Sequence, residues 1–155
     1  MAKEIERKFR VRDDSWRAEA EPSKTFRQFY LAVGPERSIR IRIIGDSVAW
    51  LTAKFGATPV RDEFEYQIPL ADAREMEQFA VGAVILKQRH IVRHGGYGYE
   101  VDVFSGALEG LVVAELETPD RVADESLPGW LGPEITGDSR YSNAMLAFNG
   151  MPDAT

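Results

Sequence analysis

The chain has 155 residues, 44% hydrophobic and 28% charged, with a formal net charge of -6, which bounds it to one ordinary globular domain around one core. The acidic balance argues against a generic binder of nucleic acid or anionic membrane, although local charge can still hold an anionic ligand. Cysteine is absent, which excludes disulfides, a thiolate metal site and a Cys nucleophile; no stretch is apolar and long enough to span a membrane and no signal-peptide h-region opens the chain, so a cytoplasmic location is expected.

In chain order, the first strand is expected to run from Lys3 to about Arg12, followed by a polar connection, residues 13–23, that Trp16 pins to the body. Thr25 to Val33 is rich in aromatic and β-branched residues and reads as a second strand. After a turn at Gly34-Pro35-Glu36, strands are expected over Ser38–Ile44, Ser47–Phe55 and Arg61–Ile68, with Gly45-Asp46 as a hairpin turn. Pro69 ends the fifth strand, and Asp72 to Val81 reads as a short helix with Asp72 as N-cap and Met76, Phe79 and Ala80 as its apolar stripe.

Strands six to eight are expected over Ala83–Arg93, Tyr97–Phe104 and Leu111–Thr118, with Gly95-Gly96 as a hairpin turn. Pro128 to Pro133 reads as a compact apolar loop. Asp138 or Ser139 is expected to cap a last helix through Phe148, with Tyr141, Ala144, Met145 and Phe148 as its apolar face. Residues 1–150 then form a single domain and 151–155 a frayed tail. Eight strands joined mainly by short turns, with few helices, favour a mainly β fold: a closed eight-stranded antiparallel barrel with a few flanking helices.

The charges repeat at strand spacing. Glu4, Glu6 and Lys8 share one face of the first strand, with Ile5, Phe9 and Val11 on the other and Arg7 among them. Two carboxylates at i and i+2, about 7 Å apart, repel by about 2 kcal/mol at an effective dielectric of 20. Arg40 and Arg42, Glu63 and Glu65, Lys87 and Arg89, Glu100 and Asp102, and Glu115 and Glu117 form further same-sign pairs, each with apolar neighbours; Lys54 lies on a face with Trp50 and Thr52. Solvent-facing strands ordinarily mix signs with Ser and Thr. The repetition points instead to strands surrounding a charged interior, with apolar faces turned outward onto helices or a second subunit.

Such an interior must be wet, and its charges need partners. Arg and Lys in rings suit an oxyanion with many oxygens, such as a phosphate chain. Carboxylate clusters without His or Cys suit hard divalent cations, chiefly Mg²⁺ or Mn²⁺. Together they suggest a metal-bound polyphosphate. His90 and His94 lie on strand and turn and do not face one another as a metal pair; Gly95-Gly96-Tyr97-Gly98 is not a P-loop; no G-x-S-x-G elbow occurs. Tyr30 and Trp50 read as packing residues.

Glu4-Ile5-Glu6-Arg7-Lys8 resembles the E-x-E-x-K signature of the CYTH superfamily, the triphosphate tunnel metalloenzymes. Arg40-x-Arg42, Thr52-Ala53-Lys54, Arg61-x-Glu63-x-Glu65, Lys87-x-Arg89, Glu100-x-Asp102, Glu115-x-Glu117 and Asp138-x-Arg140-Tyr141-x-Asn143 follow in order, so the resemblance covers about residues 3–148. It implies a barrel with a hydrophilic tunnel that binds a triphosphate and a divalent metal, and, for short bacterial members, hydrolysis of tripolyphosphate to pyrophosphate and phosphate. By position it implies that Lys8, Arg40, Arg42, Lys54, Lys87, Arg89 and Arg140 hold phosphate oxygens. Glu4, Glu6 and Glu117 would bind the activating metal, and Glu63, Glu65, Glu100, Asp102 and Glu115 would hold a second metal, position water or orient the basic residues. Lys8, Glu115 and Glu117 are the candidate catalytic residues.

The chain departs from the family pattern at Ser142 and Ala144, where relatives often carry Lys. A class IV adenylate cyclase, an organic triphosphatase acting on ATP or thiamine triphosphate, and a non-catalytic nucleotide- or polyphosphate-binding module are the competing readings. A homodimer is expected if the apolar outer faces are to be covered.

Overall fold

The computed structural model of the chain describes residues 5–56 and 61–152. Among these, β1 (Ile5–Val11), β2 (Lys24–Gly34), β3 (Arg37–Ile44), β4 (Val48–Phe55), β5 (Asp62–Ile68), β6 (Val81–His94), β7 (Tyr97–Phe104), β8 (Val112–Thr118) and β9 (Leu131–Glu134) form one sheet in the order β5-β4-β3-β2-β6-β7-β8-β1-β9. Every pairing is antiparallel. Two short helices, α1 (Leu70–Met76) and α2 (Asn143–Asn149), complete it. Among the described residues no helix is long and apolar enough to cross a membrane.

Register places the alternating residues on two distinct faces. On the outer face, Phe9, Trp16, Val92, Tyr99, Val101 and Leu116 pack with Trp130 and Leu131 in one cluster. Phe29, Ile41, Ile43 and Ala49 pack with Ala73 of α1 in another. The third cluster lies on the opposite, inner face: Tyr30, Ile85, Phe104 and Val113 pack against Tyr141 and against Leu146 and Ala147 of α2. The last helix therefore fills one end of the inner face.

The sheet is rolled. Glu6 on β1 acts electrostatically on Lys54 of β4, although six inter-strand steps separate those strands; at about 4.8 Å each they would stand about 29 Å apart in a flat sheet, several screening lengths at physiological salt. Among the described residues no ladder joins β5 to β1 or β9. The mainly β, antiparallel barrel-like fold expected from the sequence is thus borne out, and among the described residues it is built of nine strands, not eight, with no hydrogen-bonded closure.

The extra strand is β9, in the segment read from sequence as a loop. Pro133 removes a ladder donor, so the segment does not look like a strand, but an edge position tolerates it. β9 covers the free edge of β1, pairing Phe9 with Glu134 and Val11 with Leu131. The first helix also begins earlier than expected: Pro69, not Asp72, occupies the cap position, and its carbonyl accepts from the Ala73 N–H. At the cap, with φ -58° and ψ 135°, proline gives up an N–H that would have no acceptor within the helix. After α1 a 3-10 turn, Glu77–Phe79, leads into β6, so Val81 is already strand and Phe79 is exposed.

The expected final helix is likewise divided. Asp138 caps only a 3-10 turn, Ser139–Tyr141, by accepting from the Arg140 N–H. Ser142 then caps α2 by accepting from the Met145 N–H. Tyr141 is buried as expected, whereas Phe148 is 47% exposed and does not belong to the packed face.

Gly82 is where β6 meets α2. Its φ is 74°, and a Cβ there would lie 2.9 Å from the Ala147 carbonyl oxygen. Gly82→Ala is expected to lower stability by about 2 kcal/mol or more, from left-handed strain plus the backbone clash, read as a shift in the urea midpoint at unchanged slope. A shift near zero would show that α2 can move away freely.

Candidate functional site

The charged residues gather on the inner face because the register aligns them strand by strand. Glu6 stands opposite Glu117 and Lys8 opposite Glu115. Glu115 faces Glu100, and Asp102 faces Arg89. Phe26 faces Lys87, Gln28 faces Arg42 and Tyr30 faces Arg40. Arg40 faces Thr52, which faces Glu65, and Lys54 faces Glu63. Glu4 falls outside the described residues.

Three kinds of charge environment result. The first is a sealed ion-pair set. Lys87, only 1% exposed, places Nζ 2.8 Å from Asp102 Oδ2. Arg89 donates from Nε and Nη2 to the two oxygens of Asp102 at 2.8 and 2.9 Å, and from Nη1 to Glu100 at 3.1 Å. Burial opposes ionisation of Asp102, but the charge of Lys87 and the hydrogen bonds from Arg89 outweigh it and hold the carboxyl well below its usual range. Burial pushes Lys87 down to about 8, so it keeps its proton at neutral pH. For Arg89 burial is likewise unfavourable, yet Asp102 and Glu100 hold its guanidinium firmly protonated.

The second environment is cationic and uncancelled. Among the described residues no carboxylate lies at ion-pair distance from Arg40, Arg42 or Lys54. Arg40 is buried, donates from Nη2 to Thr52 Oγ1 at 3.4 Å, and has a buried Nε without a partner. Arg42 donates Nε to the side-chain oxygen of Gln28 at 2.9 Å. Burial, then the charges of Arg40 and Arg89, push Arg42 down to about 9. Burial and Arg40 also lower Lys54, against the pull of Glu63 and Glu6. Buried cations of one sign need an anion or water between them.

The third is acidic. Glu100, Glu115 and Glu117 each bring a carboxylate oxygen within 4.8 Å of the others. Burial raises Glu100, and the adjoining Glu115 and Asp102 charges push it further up against the pull of Arg89. This crowding fits a hard divalent cation, which an all-oxygen donor set prefers and which would relieve the repulsion. Lys8 lies beside them, with Nζ 3.2 Å from Glu115 and 3.4 Å from the Tyr141 carbonyl oxygen.

Several charged residues singled out in the sequence lie outside the acidic set and the uncancelled cationic set. Asp102 has both oxygens engaged by cations. Glu63 and Glu65 lie on exposed β5, where Glu65 meets Thr52 at 3.4 Å. The Arg140 side chain is 47% exposed and sits on Asp138 at 2.7 Å, stacked over Tyr141. His90 packs on Trp16 and His94 on Tyr99. Two residues central to the geometry were not singled out as site candidates: Phe26, whose ring centroid lies 4.7 Å from the guanidinium carbons of both Arg42 and Arg89, and Gln28, which is 0% exposed. Strand parity was the available signal, since both share the face of Tyr30 opposite charged positions on the neighbouring strands.

Comparison with known proteins bears on this arrangement. The CYTH domain family matches residues 2–144. The chain is 41% identical over 151 residues to an inorganic triphosphatase of Acetivibrio thermocellus, covering 96% of each. It is 32% identical to an inorganic triphosphatase of Nitrosomonas europaea, covering 94% of this chain and 97% of the relative. The crystal structure of the inorganic triphosphatase NE1496 superposes with a TM-score of 0.73 at 31% identity over 95% of each chain. The PH1012 protein of Pyrococcus horikoshii, at 19% identity and a TM-score of 0.60 over 80% of this chain and 83% of its own, shares the fold.

Asp102→Asn leaves the Lys87 ammonium buried beside a neutral partner, and an expected loss of about 3 kcal/mol should appear in chemical denaturation at neutral pH. The folded carboxyl titrates below its ordinary value near 3.9, so its stabilisation is present above about pH 4 and drains away as pH falls below that. The wild type should therefore lose stability more steeply than the variant between about pH 4 and 2. Parallel acid curves would contradict this account.

Proposed function

The chain belongs to the CYTH-domain family, and from that premise we propose that it is a divalent-metal-dependent inorganic triphosphatase, splitting tripolyphosphate into pyrophosphate and phosphate on the inner face of the rolled sheet. The observation that carries the reading is the polarity of that face. Uncancelled Arg40, Arg42 and Lys54 lie on one side, and the converging carboxylates of Glu100, Glu115 and Glu117 on the other. An anion with many oxygens satisfies the first set and a hard cation the second, and a metal-bound triphosphate supplies both.

In this reading Arg40, Arg42 and Lys54 bind phosphate oxygens directly. Lys8, Lys87 and Arg89 add positive potential from within their ion pairs, and Arg140 serves the mouth beside α2. Glu100, Glu115 and Glu117 would hold Mg²⁺ or Mn²⁺, with Glu6 directly opposite Glu117; Glu4, outside the described residues, is proposed as a further ligand from the sequence motif alone. The bound cation supplies charge neutralisation at phosphate oxygens and a more acidic water. Water attacks the terminal phosphorus, the bridging P–O bond breaks, the leaving pyrophosphate keeps the electron pair, and the proton lost by the water passes to the products or to solvent. The arginines stabilise the charge that builds on the equatorial oxygens. Glu115 and Glu117 orient the attacking water, and Lys8 steadies Glu115 at 3.2 Å. Glu63, Glu65 and Asp102 orient the basic residues. A cytoplasmic location accompanies the reading, supported by a cysteine-free composition.

Two copies are proposed to pair over the outer face of β4 and β5, where Phe55 and Phe64 meet edge to face with ring centroids 6.2 Å apart and Tyr66 is 60% exposed. Sedimentation at micromolar concentration should return twice the chain mass, and Tyr66→Glu should halve it; a monomer in both cases would remove the dimer.

Phosphate release measured on tripolyphosphate, ATP and thiamine triphosphate, each with Mg²⁺, Mn²⁺ or EDTA and with products identified, tests the activity. Tripolyphosphate should turn over fastest and EDTA should abolish turnover. Glu117→Gln should lower kcat by about 100-fold or more, the scale of losing an essential electrostatic group, with Tm within a few degrees. Cyclic AMP from ATP would make it a cyclase, and tight binding without turnover under either metal would make it a binding module.

A further inference from the structure

We propose that Gln28 and Asn143 form an amide bridge that positions Arg42 for the substrate anion without cancelling its charge, and so makes α2 part of the binding site. The bridge takes only the identity of the anion from the triphosphatase reading.

The inner face contains two arginines held in opposite ways. Arg89 gives Nε, Nη1 and Nη2 to the carboxylates of Asp102 and Glu100. Arg42, sharing the ring of Phe26 with Arg89 at the same 4.7 Å, gives Nε to a neutral amide oxygen. Gln28 is fully buried and passes the contact on: its Nε2 donates to Asn143 Oδ1 at 3.1 Å. The same Asn143 oxygen accepts from Lys87 Nζ at 3.2 Å. Asn143 is the first residue of α2, directly after its Ser142 cap.

The direction of this chain is forced. Arg42 and Lys87 only donate, so Gln28 must turn its oxygen to Arg42 and its amide nitrogen to Asn143, whose oxygen then receives both donors. A carboxylate at position 28 would meet Arg42 equally well but would neutralise it and confront the Asn143 oxygen with another acceptor. An apolar side chain would leave Arg42 without its positioning partner. An amide is the side chain that fixes the guanidinium and leaves its charge and its Nη groups for a ligand. The far end of the bridge is on α2, so the helix that fills the end of the inner face also sets the placement of a phosphate-facing cation.

The test uses the full chain and four forms: wild type, Gln28→Met, Asn143→Ala and the double variant, with Gln28→Glu alongside. Affinity for tripolyphosphate is measured by calorimetry in EDTA, independently of metal and turnover. Gln28→Met and Asn143→Ala should each weaken binding at least fivefold, and the double variant should be no worse than twofold beyond the weaker single, as two members of one bridge require. Gln28→Glu should weaken binding at least tenfold with Tm within about 3 °C of the wild type. Without any ligand, amide exchange across α2 should quicken at least fivefold in Gln28→Met. Additive single effects, unchanged affinity in Gln28→Glu, or a fall in Tm with affinity preserved would each overturn the bridge and leave Gln28 a packing residue. Should Gln28→Met fail to fold, Asn143→Ala at its half-buried position carries the same affinity and exchange tests. Wild-type turnover of tripolyphosphate is measured separately: its absence overturns the triphosphatase, whereas unchanged α2 exchange overturns the bridge.

Discussion

An ammonium removed from water stays charged only if something nearby makes ionisation worthwhile, and in this protein the inner face is arranged around that requirement at Lys87. Its counter-charge, Asp102, is itself shielded and is held ionised by Lys87 and Arg89 together. Arg89 in turn reaches Glu100, which stands beside Glu115, which meets Lys8. Each group is tolerable because of the next, and the sequence of contacts runs across β6, β7, β8 and β1. Removing one member would strand the others, which is far more costly than never having built the set. The outer face carries no comparable requirement and is packed with apolar clusters instead.

Much of this arrangement is written in the alternation of residue types. Once a strand places Glu115 and Glu117 on one face and Leu116 on the other, the side that is apolar and the side that is wet are settled, and the hairpin turns at Gly45-Asp46 and Gly95-Gly96 put neighbouring strands in step. The same rule carries Phe26 and Gln28 to the charged face, but neither has a charge to draw the eye, and their roles emerge only from cross-strand neighbours. β9 was hidden by Gly132 and Pro133, residues that suit an edge strand lying close to a neighbour: a Cβ at position 132 would come 3.2 Å from the Arg10 carbonyl oxygen. The split of the last segment into a 3-10 turn and α2 depends on which of several adjacent hydroxyl and carboxylate side chains finds an unpaired N–H, and local composition does not rank them. Whether the sheet closes depends on its curl and on both edges at once, which no single segment encodes.

Arginine serves three purposes here, and surroundings rather than residue type distinguish them. Arg89 is a structural counter-ion. Arg42 is held by an amide and an aromatic ring, with its charge left over. Arg7 lies on the outer face of β1, between the positions of Glu6 and Lys8, and binds Glu134 through Nε and Nη2, Asp124 through Nη2 and the Val122 carbonyl through Nη1. The strand that presents Glu6 and Lys8 to the interior thus clasps the segment around residues 122–134 from its back. A signature read only for its inward residues misses that the outward one supports them.

β1 also has an unusual place in time. It is the first strand of the chain, yet its partners are β8 and β9, near the end. Glu6 and Glu117 are direct neighbours in the sheet, but at synthesis rates of about 5–20 residues per second the second emerges roughly 6–22 seconds after the first. Until then β1 has no edge to join, and closing so long a loop is an entropic step that local hairpins do not face. β3, β4 and β6, which carry Arg40, Arg42, Lys54, Lys87 and Arg89, are all made before Glu115 and Glu117. A growing chain therefore holds the strands bearing these cations before the two carboxylates that stand opposite Glu6 and Lys8 exist, and the inner face gets its balance of charge only when β8 is laid beside β1.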